Sequence, residues 1–95
     1  MFRIRKTFAS GETSILSLEG EIRVENLTVW TAELDGSRLT IQGNMILNFH
    51  SVSFMDASAV PKLTELIAKR VYVLNCSTLV KNMLQSAGLS SMIID

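Results

Sequence analysis

The N-terminal part of the chain alternates between apolar and polar residues in the manner of extended strands. Residues 2–8 place apolar side chains between basic ones, which is the pattern of a half-exposed strand. The apolar side chains that should face the core are Phe2, Ile4 and Phe8. Residues 10–12 have the composition of a turn, and residues 13–18 form a second apolar stretch that ends near Gly20. We therefore predict a β-hairpin.

The next segment changes to a helical period. Apolar residues recur at three- and four-residue spacing, at Val24, Leu27, Trp30 and Leu34. The seven-residue spacing continues across Gly36 to Ile41, and Gly43 offers a second stop signal. We predict one helix over residues 24–41, bent at Gly36, where glycine costs about 1 kcal/mol relative to alanine. Trp30 should anchor this helix to the sheet.

The second half of the chain alternates between strands and helices. We predict a strand at residues 45–50, a helix at residues 58–69 and a strand at residues 71–74. The side chains expected on the buried face of this helix are Val60, Leu63, Leu66 and Ile67. A strand, a helix and a strand in succession indicate a right-handed crossover between parallel strands.

A third helix should follow, capped by Asn75 or Ser77 and ended by Gly88 in a left-handed conformation with Leu89 packed behind it. Its expected apolar face consists of Leu79, Val80, Met83, Leu84 and Ala87. The order strand, strand, helix, strand, helix, strand, helix predicts a single α/β domain over residues 1–95. We expect a mixed sheet of about four strands with about three helices packed on it.

Composition and charge exclude several classes of function. Nine basic and nine acidic residues balance, so the concentrated positive surface that nucleic acid requires is not expected. Cys76 and His50 are the only cysteine and the only histidine, so neither an intramolecular disulfide nor a His/Cys metal cage is expected. No stretch of about 20 apolar residues is present, so we predict no membrane insertion and a cytoplasmic protein. No Gly-rich phosphate loop is present either, and we predict no cofactor.

Residues 46–60 form the segment around which the rest of the chain is organised. Two apolar stretches predict a strand, and the following segment Asp56-Ala57-Ser58 contains side chains that can cap a helix. Pro61 falls where a first helical turn tolerates a missing N–H. The segment therefore presents a serine at the start of a helix, where unpaired N–H groups and the helix dipole favour an anion.

This segment resembles the signature of the STAS domains, the sulfate-transporter and anti-sigma-factor-antagonist family. Residues 54–60 read Phe-Met-Asp-Ala-Ser-Ala-Val, and the family's usual form is two hydrophobic residues followed by Asp-Ser-Ser-Gly-Leu. Further landmarks lie in the family's order, from about residue 13 to about residue 93. They are Gly20-Glu21, similar to the start of Gly-Glu-Leu-Asp, then Asn75-Cys76-Ser77, similar to Asn-Pro-Ser, and Ala87-Gly88-Leu89, similar to Thr-Gly-Leu.

The sequence also departs from that signature. Ile22 and Arg23 stand in place of Leu-Asp in the first landmark, and Ala57 stands in place of the first motif serine. Ala59 stands in place of the motif glycine, which would allow a positive φ or a close backbone approach. We expect the alanine at position 59 to alter partner docking or kinase access.

The resemblance implies a non-enzymatic switch in which Ser58 is the residue phosphorylated by a partner kinase. The unmodified protein would bind a serine kinase that acts as an anti-sigma factor, a sigma factor would be released, and phosphorylation of Ser58 would reverse the exchange. The partner-binding residues implied are Met55, Asp56, Ala57, Ser58, Ala59 and Val60. Of these, Met55 and Val60 are expected to be partly exposed and to form a docking patch.

Other interpretations stay open at this stage. Asp56 and Ser58 are both explained equally simply as helix caps. The domain also resembles the STAS subunit of an ABC transporter and the STAS domains of anion transporters, which would imply binding to an ATPase, a nucleotide or a lipid. A serine hydrolase would need a base for Ser58, yet His50 is predicted at a strand end without an acidic partner. The oligomeric state, the sigma factor and the upstream signal are not specified by these residues.

Overall fold

The sheet contains its strands in the order in which they occur along the chain. The computed structural model describes residues 2–94. The strands are β1 (Phe2–Ala9), β2 (Thr13–Ile22), β3 (Asn44–Met55), β4 (Val71–Leu74) and β5 (Ile93–Ile94). The α-helices are α1 (Leu27–Thr40), α2 (Val60–Ile67) and α3 (Thr78–Ser86). β1 is antiparallel to β2, whereas β2 through β5 run parallel to one another, so the sheet is mixed as predicted.

The N-terminal hairpin forms as predicted, but one of its aromatic residues points the other way. Phe2 and Ile4 pack against the core. The register between β1 and β2 shifts between Lys6 and Phe8, which is the signature of a β-bulge. One extra residue reverses which face the following side chains occupy. Phe8 is 52% exposed, so the expectation that it faces the core is wrong.

The first helix runs through Gly36 without interruption, which confirms the single-helix prediction. A 3-10 turn at Val24–Asn26 leads directly into α1. Trp30 and Leu34 are both 0% exposed and fix the helix against the sheet. The helix continues past the glycine because burial of the apolar side chains on its inner face stabilises it more than one glycine destabilises it.

Arg38 joins the end of α1 to the beginnings of two strands. Its guanidinium donates to the carbonyls of Ile41 at 2.5 Å and Gly43 at 2.9 Å. It also donates to the carbonyl of Lys69 at 2.9 Å and to that of Arg70 at 3.4 Å. One cation thus satisfies carbonyls in the two loops that lead into β3 and β4.

The central strand is longer than predicted, because the polar residues His50 and Ser51 do not end it. β3 pairs with β4 from Met45 to Asn48, and with β2 as far as Met55, which is opposite Ile22. His50 therefore lies within the strand and is exposed there, rather than at the strand end. The backbone pairing with β2 maintains the strand where the side-chain pattern is interrupted.

The C-terminal elements follow the prediction with one addition. Ser77 caps α3, and its side chain accepts from the backbone N–H of Val80 at 3.2 Å. Gly88 has a φ of +78°, and the N–H of Leu89 donates to the carbonyl of Leu84 at 2.8 Å. This is the expected left-handed helix end. β5 was not predicted, because two residues are too few to show a period.

The helices and the sheet enclose one hydrophobic core, and an ion pair holds α2 against α1. Lys62 Nζ lies 2.6 Å from Asp35 on α1 and 3.0 Å from Glu65 on α2. Burial alone lowers the pKa of Lys62, but hydrogen bonds to Asp35 and Glu65 outweigh it and leave that pKa raised. Within residues 2–94, no helix has the length and apolarity needed to cross a bilayer.

Candidate functional site

The candidate site lies where β2 and β3 end side by side. Ile22 and Met55 are partners in the parallel ladder, and the N–H of Asp56 donates to the carbonyl of Ile22 at 2.8 Å. Arg23 is the first residue after β2, and Asp56 is the first residue after β3. The two chains therefore leave the carboxyl edge of the sheet together, with a basic residue beside an acidic one. This edge is the usual position of binding sites in parallel sheets.

Asp56 holds Ser58 in place through two hydrogen bonds to one carboxylate oxygen. Asp56 is extended and caps the 3-10 turn Ala57–Ala59 that precedes α2. Its Oδ2 accepts from the backbone N–H of Ser58 at 2.9 Å and also from the hydroxyl of Ser58. One carboxylate oxygen therefore both caps the turn and accepts from the serine hydroxyl. Ser58 itself is exposed.

The same contacts favour the ionised form of Asp56. The pKa of Asp56 lies below its ordinary value, because the hydroxyl and then the N–H of Ser58 stabilise the carboxylate. Desolvation opposes this shift, and the positive charge of Arg23 adds to it. Asp56 is thus an ionised acceptor near neutral pH and a weak base. It accepts the hydrogen bond of the serine hydroxyl and is a poor base for removing the proton of that hydroxyl.

The structure separates the other predicted site residues into exposed and buried ones. Ala57 is exposed and Val60 is half-buried. Met55 is 1% exposed, so the expectation of a partly exposed Met55 is wrong; the alternation of β3 points this side chain into the core. Ala59 is 0% exposed and packs beneath the turn. Asp56, Ala57, Ser58 and Val60 are therefore the part of the set that reaches the surface.

The backbone at Ala59 explains why an alanine is accepted at the position of the family's glycine. Its φ of −79° and ψ of −19° are right-handed helical values, which any residue adopts without strain. Its methyl group belongs to the core cluster, so the position is filled rather than open. No positive φ is needed here, and the substitution leaves the turn intact.

An open apolar groove of about 480 Å³ is lined in part by Ala57, the residue before Ser58. Ala57 and Val60 line one side, and the side chains from α3 that line the other are Leu79, Asn82, Met83, Ser86 and Ala87. Leu79 is 61% exposed and Ala87 is also exposed, so part of the apolar set predicted for this helix lies at the surface. The helical period identified the apolar face of α3, but it could not show that this face extends beyond the core.

Arg23 forms a second cluster with Glu21 and Phe54. Its guanidinium makes a bidentate pair with Glu21, with Nε to Oε1 at 3.1 Å and Nη2 to Oε2 at 2.9 Å. It also stacks over Phe54, 4.7 Å from the ring centroid. The pKa of Glu21 is lowered by its hydrogen bond to Arg23 and by the charge of Arg23. The sequence showed Arg23 only as a departure from the resembled motif, and no local signal indicated its position beside Asp56.

The residues considered for catalysis do not meet at Ser58. His50 lies on β3 about 20 Å along the strand from Asp56 and has no contact with the site. Cys76 is half-buried and packs against the core. Within residues 2–94, no group of three or more His, Cys, Asp or Glu could hold a metal ion.

The fold defined by these features is similar to that of the STAS domains of anti-sigma factor antagonists. The unphosphorylated form of the anti-sigma factor antagonist SpoIIAA superposes with a TM-score of 0.78 at 24% identity, covering 98% of this chain and 87% of that chain. The phosphorylated form of SpoIIAA, a Bacillus cell fate determinant, gives a TM-score of 0.70 at 25% identity, with 98% and 90% covered.

A third structure extends the likeness to another bacterium. The STAS domain of an antisigma-factor antagonist from Rhodobacter sphaeroides gives a TM-score of 0.63 at 16% identity, covering 78% of this chain and 86% of that chain. No protein-family model and no curated protein matches the sequence. The similarity is therefore carried by the three-dimensional structure, and it confirms the fold that the motif predicted.

Proposed function

We propose that this domain is a non-enzymatic regulatory protein similar in action to an anti-sigma-factor antagonist. It binds a serine kinase that acts as an anti-sigma factor, and phosphorylation of Ser58 ends the binding. The main support is the position of Ser58, exposed at the edge of the sheet with its hydroxyl held by Asp56. Further support is the similarity to SpoIIAA, which is known in unphosphorylated and phosphorylated forms. The proposal places the protein in the cytoplasm.

The chemistry of the proposed switch follows from the contacts of Ser58. The kinase transfers the γ-phosphoryl group of ATP to Ser58 Oγ; ADP leaves, and the hydroxyl proton passes to a base of the kinase. The phosphate adds about −1.5 to −2 charges and three acceptor oxygens. The hydroxyl bond to Asp56 is lost, whereas the N–H bond to Asp56 does not depend on the hydroxyl. The turn can therefore persist while its surface becomes strongly negative.

The proposed partner surface consists of Asp56, Ala57, Ser58 and Val60, with Met55 and Ala59 supporting it from beneath. The apolar groove begins at Ala57 and Val60, so a partner that contacts Ser58 meets it as well. Charge and bulk at Ser58 would then interrupt a continuous interface. Repulsion between phosphate and partner, rather than unfolding of the domain, is the expected cause of release.

The decisive experiment is peptide mass spectrometry on protein recovered from its own cells under several growth conditions. We expect phosphate on Ser58. In parallel, Ser58→Ala and the control Ser51→Ala, which changes an exposed serine within β3, are incubated with a lysate and ATP. Only Ser58→Ala should abolish phosphate incorporation.

The contrary outcome is equally clear. If Ser58 carries no phosphate in any condition, and the lysate does not modify the recombinant protein, the switch is refuted. Co-purification of the unmodified domain with a transporter ATPase would then indicate a structural subunit. Retrieval of a small serine kinase by the wild type, and its loss on phosphorylation, would support the switch.

A further inference from the structure

The geometry at the carboxyl edge of the sheet brings a positive charge within electrostatic reach of Asp56, the residue that binds Ser58. Arg23 and Asp56 directly follow the paired residues Ile22 and Met55, and the backbone hydrogen bond of 2.8 Å between Asp56 and Ile22 keeps the two strand ends together. Asp56 in turn contacts Ser58 through its carboxylate. Arg23 therefore directly follows Ile22, the residue whose carbonyl accepts from the N–H of Asp56.

In the unmodified protein, Arg23 forms an ion pair with a surface carboxylate. It pairs with Glu21 at 2.9 Å, and the side chains of Arg23 and Glu21 are 46% and 40% exposed. Such exposed pairs contribute little to stability and can exchange partners. The acidic groups whose charges act on Arg23 are Glu21, Glu25 and Asp56. A phosphate on Ser58 would add a stronger acceptor to this set.

We propose that Arg23 exchanges Glu21 for the phosphate of phosphorylated Ser58 and so binds the modification to the domain's own surface. This inference rests on the proposed function only for the existence of the phosphate. A guanidinium matches two phosphate oxygens with parallel N–H groups, and a dianion attracts it more strongly than one carboxylate does. The exchange would also release Glu21, so that a partner meets a changed charge pattern across both strand ends.

The test measures the phosphate directly and does not depend on a kinase. Phosphoserine is incorporated at position 58 during translation, and its second pKa, ordinarily near 6, is followed by ³¹P NMR titration of the full chain. An adjacent cation lowers this pKa. We expect the wild-type value to lie below that of Arg23→Gln by about 0.5 or more. Glu21→Gln, which removes the competing carboxylate, should lower it further.

A matched control removes the same charge elsewhere. Arg5 pairs with Glu19 at 3.2 Å in the N-terminal hairpin, so Arg5→Gln should leave the phosphoserine pKa at its wild-type value. Arg23→Lys keeps the charge without the planar fork and should give an intermediate value. Fluorescence of the buried Trp30 verifies that each variant is folded.

Equal phosphoserine pKa values in the wild type and in folded Arg23→Gln would overturn the inference. An equal rise of the phosphoserine pKa in Arg5→Gln would overturn it as well, because the effect would then be one of net charge. Failure of the proposed function has a different signature, since it leaves Ser58 unmodified in cells. The two outcomes are independent.

Discussion

Replacement of Ala59 by glycine restores the residue of the resembled signature, and the structure predicts that it weakens the fold. Ala59 is 0% exposed and has right-handed helical backbone angles. Ala59→Gly removes a buried methyl group, which is worth about 0.8 kcal/mol. It also increases the conformational entropy of the unfolded chain, at a cost of about 0.5–1 kcal/mol. The free energy of unfolding should therefore fall by about 1.5 kcal/mol.

The assay uses the single tryptophan of the chain. Trp30 is 0% exposed, so its fluorescence reports loss of the core in a urea titration. For a domain of this size the expected loss corresponds to a fall in Tm of about 6–12 °C. The matched control is Ala57→Gly, which makes the same chemical change at an exposed position of the same turn.

Comparison of the two variants isolates the buried methyl group. Ala57→Gly should show only the backbone cost of about 0.5–1 kcal/mol. If Ala59→Gly is no less stable than Ala57→Gly, or is more stable than the wild type, Ala59 does not fill the core and our account of the altered motif is wrong. If the expected difference is found, alanine is the better residue for this turn.

Three further predictions concern the framework and the cap. Gly43→Ala should lower the free energy of unfolding by at least about 2 kcal/mol, because φ is +76° and the added methyl overlaps the backbone of the turn before β2. Gly36→Ala, which adds a methyl group in open space, should raise the free energy of unfolding by about 0.5–1 kcal/mol. Equal stabilities of the two variants would contradict both predictions. Arg38→Met should cost roughly 2 kcal/mol in urea unfolding, since four carbonyls lose a charged donor, and wild-type stability would refute the role of Arg38. Ser58 lowers the pKa of Asp56, so the contact between them stabilises the fold above the ordinary aspartate pKa. This stabilisation is lost as the pH falls through the lower pKa of the folded state. The urea midpoint of Asp56→Asn should therefore fall less on acidification than that of the wild type.

The fold could be predicted from sequence wherever a side-chain period extends over enough residues. The stripe through Trp30 and Leu34 predicted α1 across Gly36, and Gly88 predicted the end of α3. The two-residue strand β5 has no period to detect. The second half of β3 depends on hydrogen bonds to β2, which are a property of two distant segments and not of the local pattern. Phe8 was misplaced because a β-bulge is invisible in an alternating pattern.

The candidate site could be predicted from the sequence only in part. The motif identified Asp56 and Ser58, because a capping residue and the serine that it holds are close in sequence. It could not show that Met55 points inward, since that depends on where β3 ends and the turn begins. Nor could it bring Arg23 to Asp56, since these residues are distant in sequence and meet through the parallel pairing of β2 and β3. Proximity created by a sheet has no local sequence signal.

The position of Arg38 has a consequence for how this protein can evolve. Arg38 binds carbonyls of the loops that lead into β3 and β4, whereas Ser58 follows the opposite end of β3. The contacts that hold the elements together and the residues that a partner would contact are therefore at opposite poles of one strand. Substitutions can accumulate around Ser58 and redirect partner choice while this framework is untouched. Arg23, Ala57 and Ala59, which differ from the resembled motifs, all lie at the Ser58 end of the sheet.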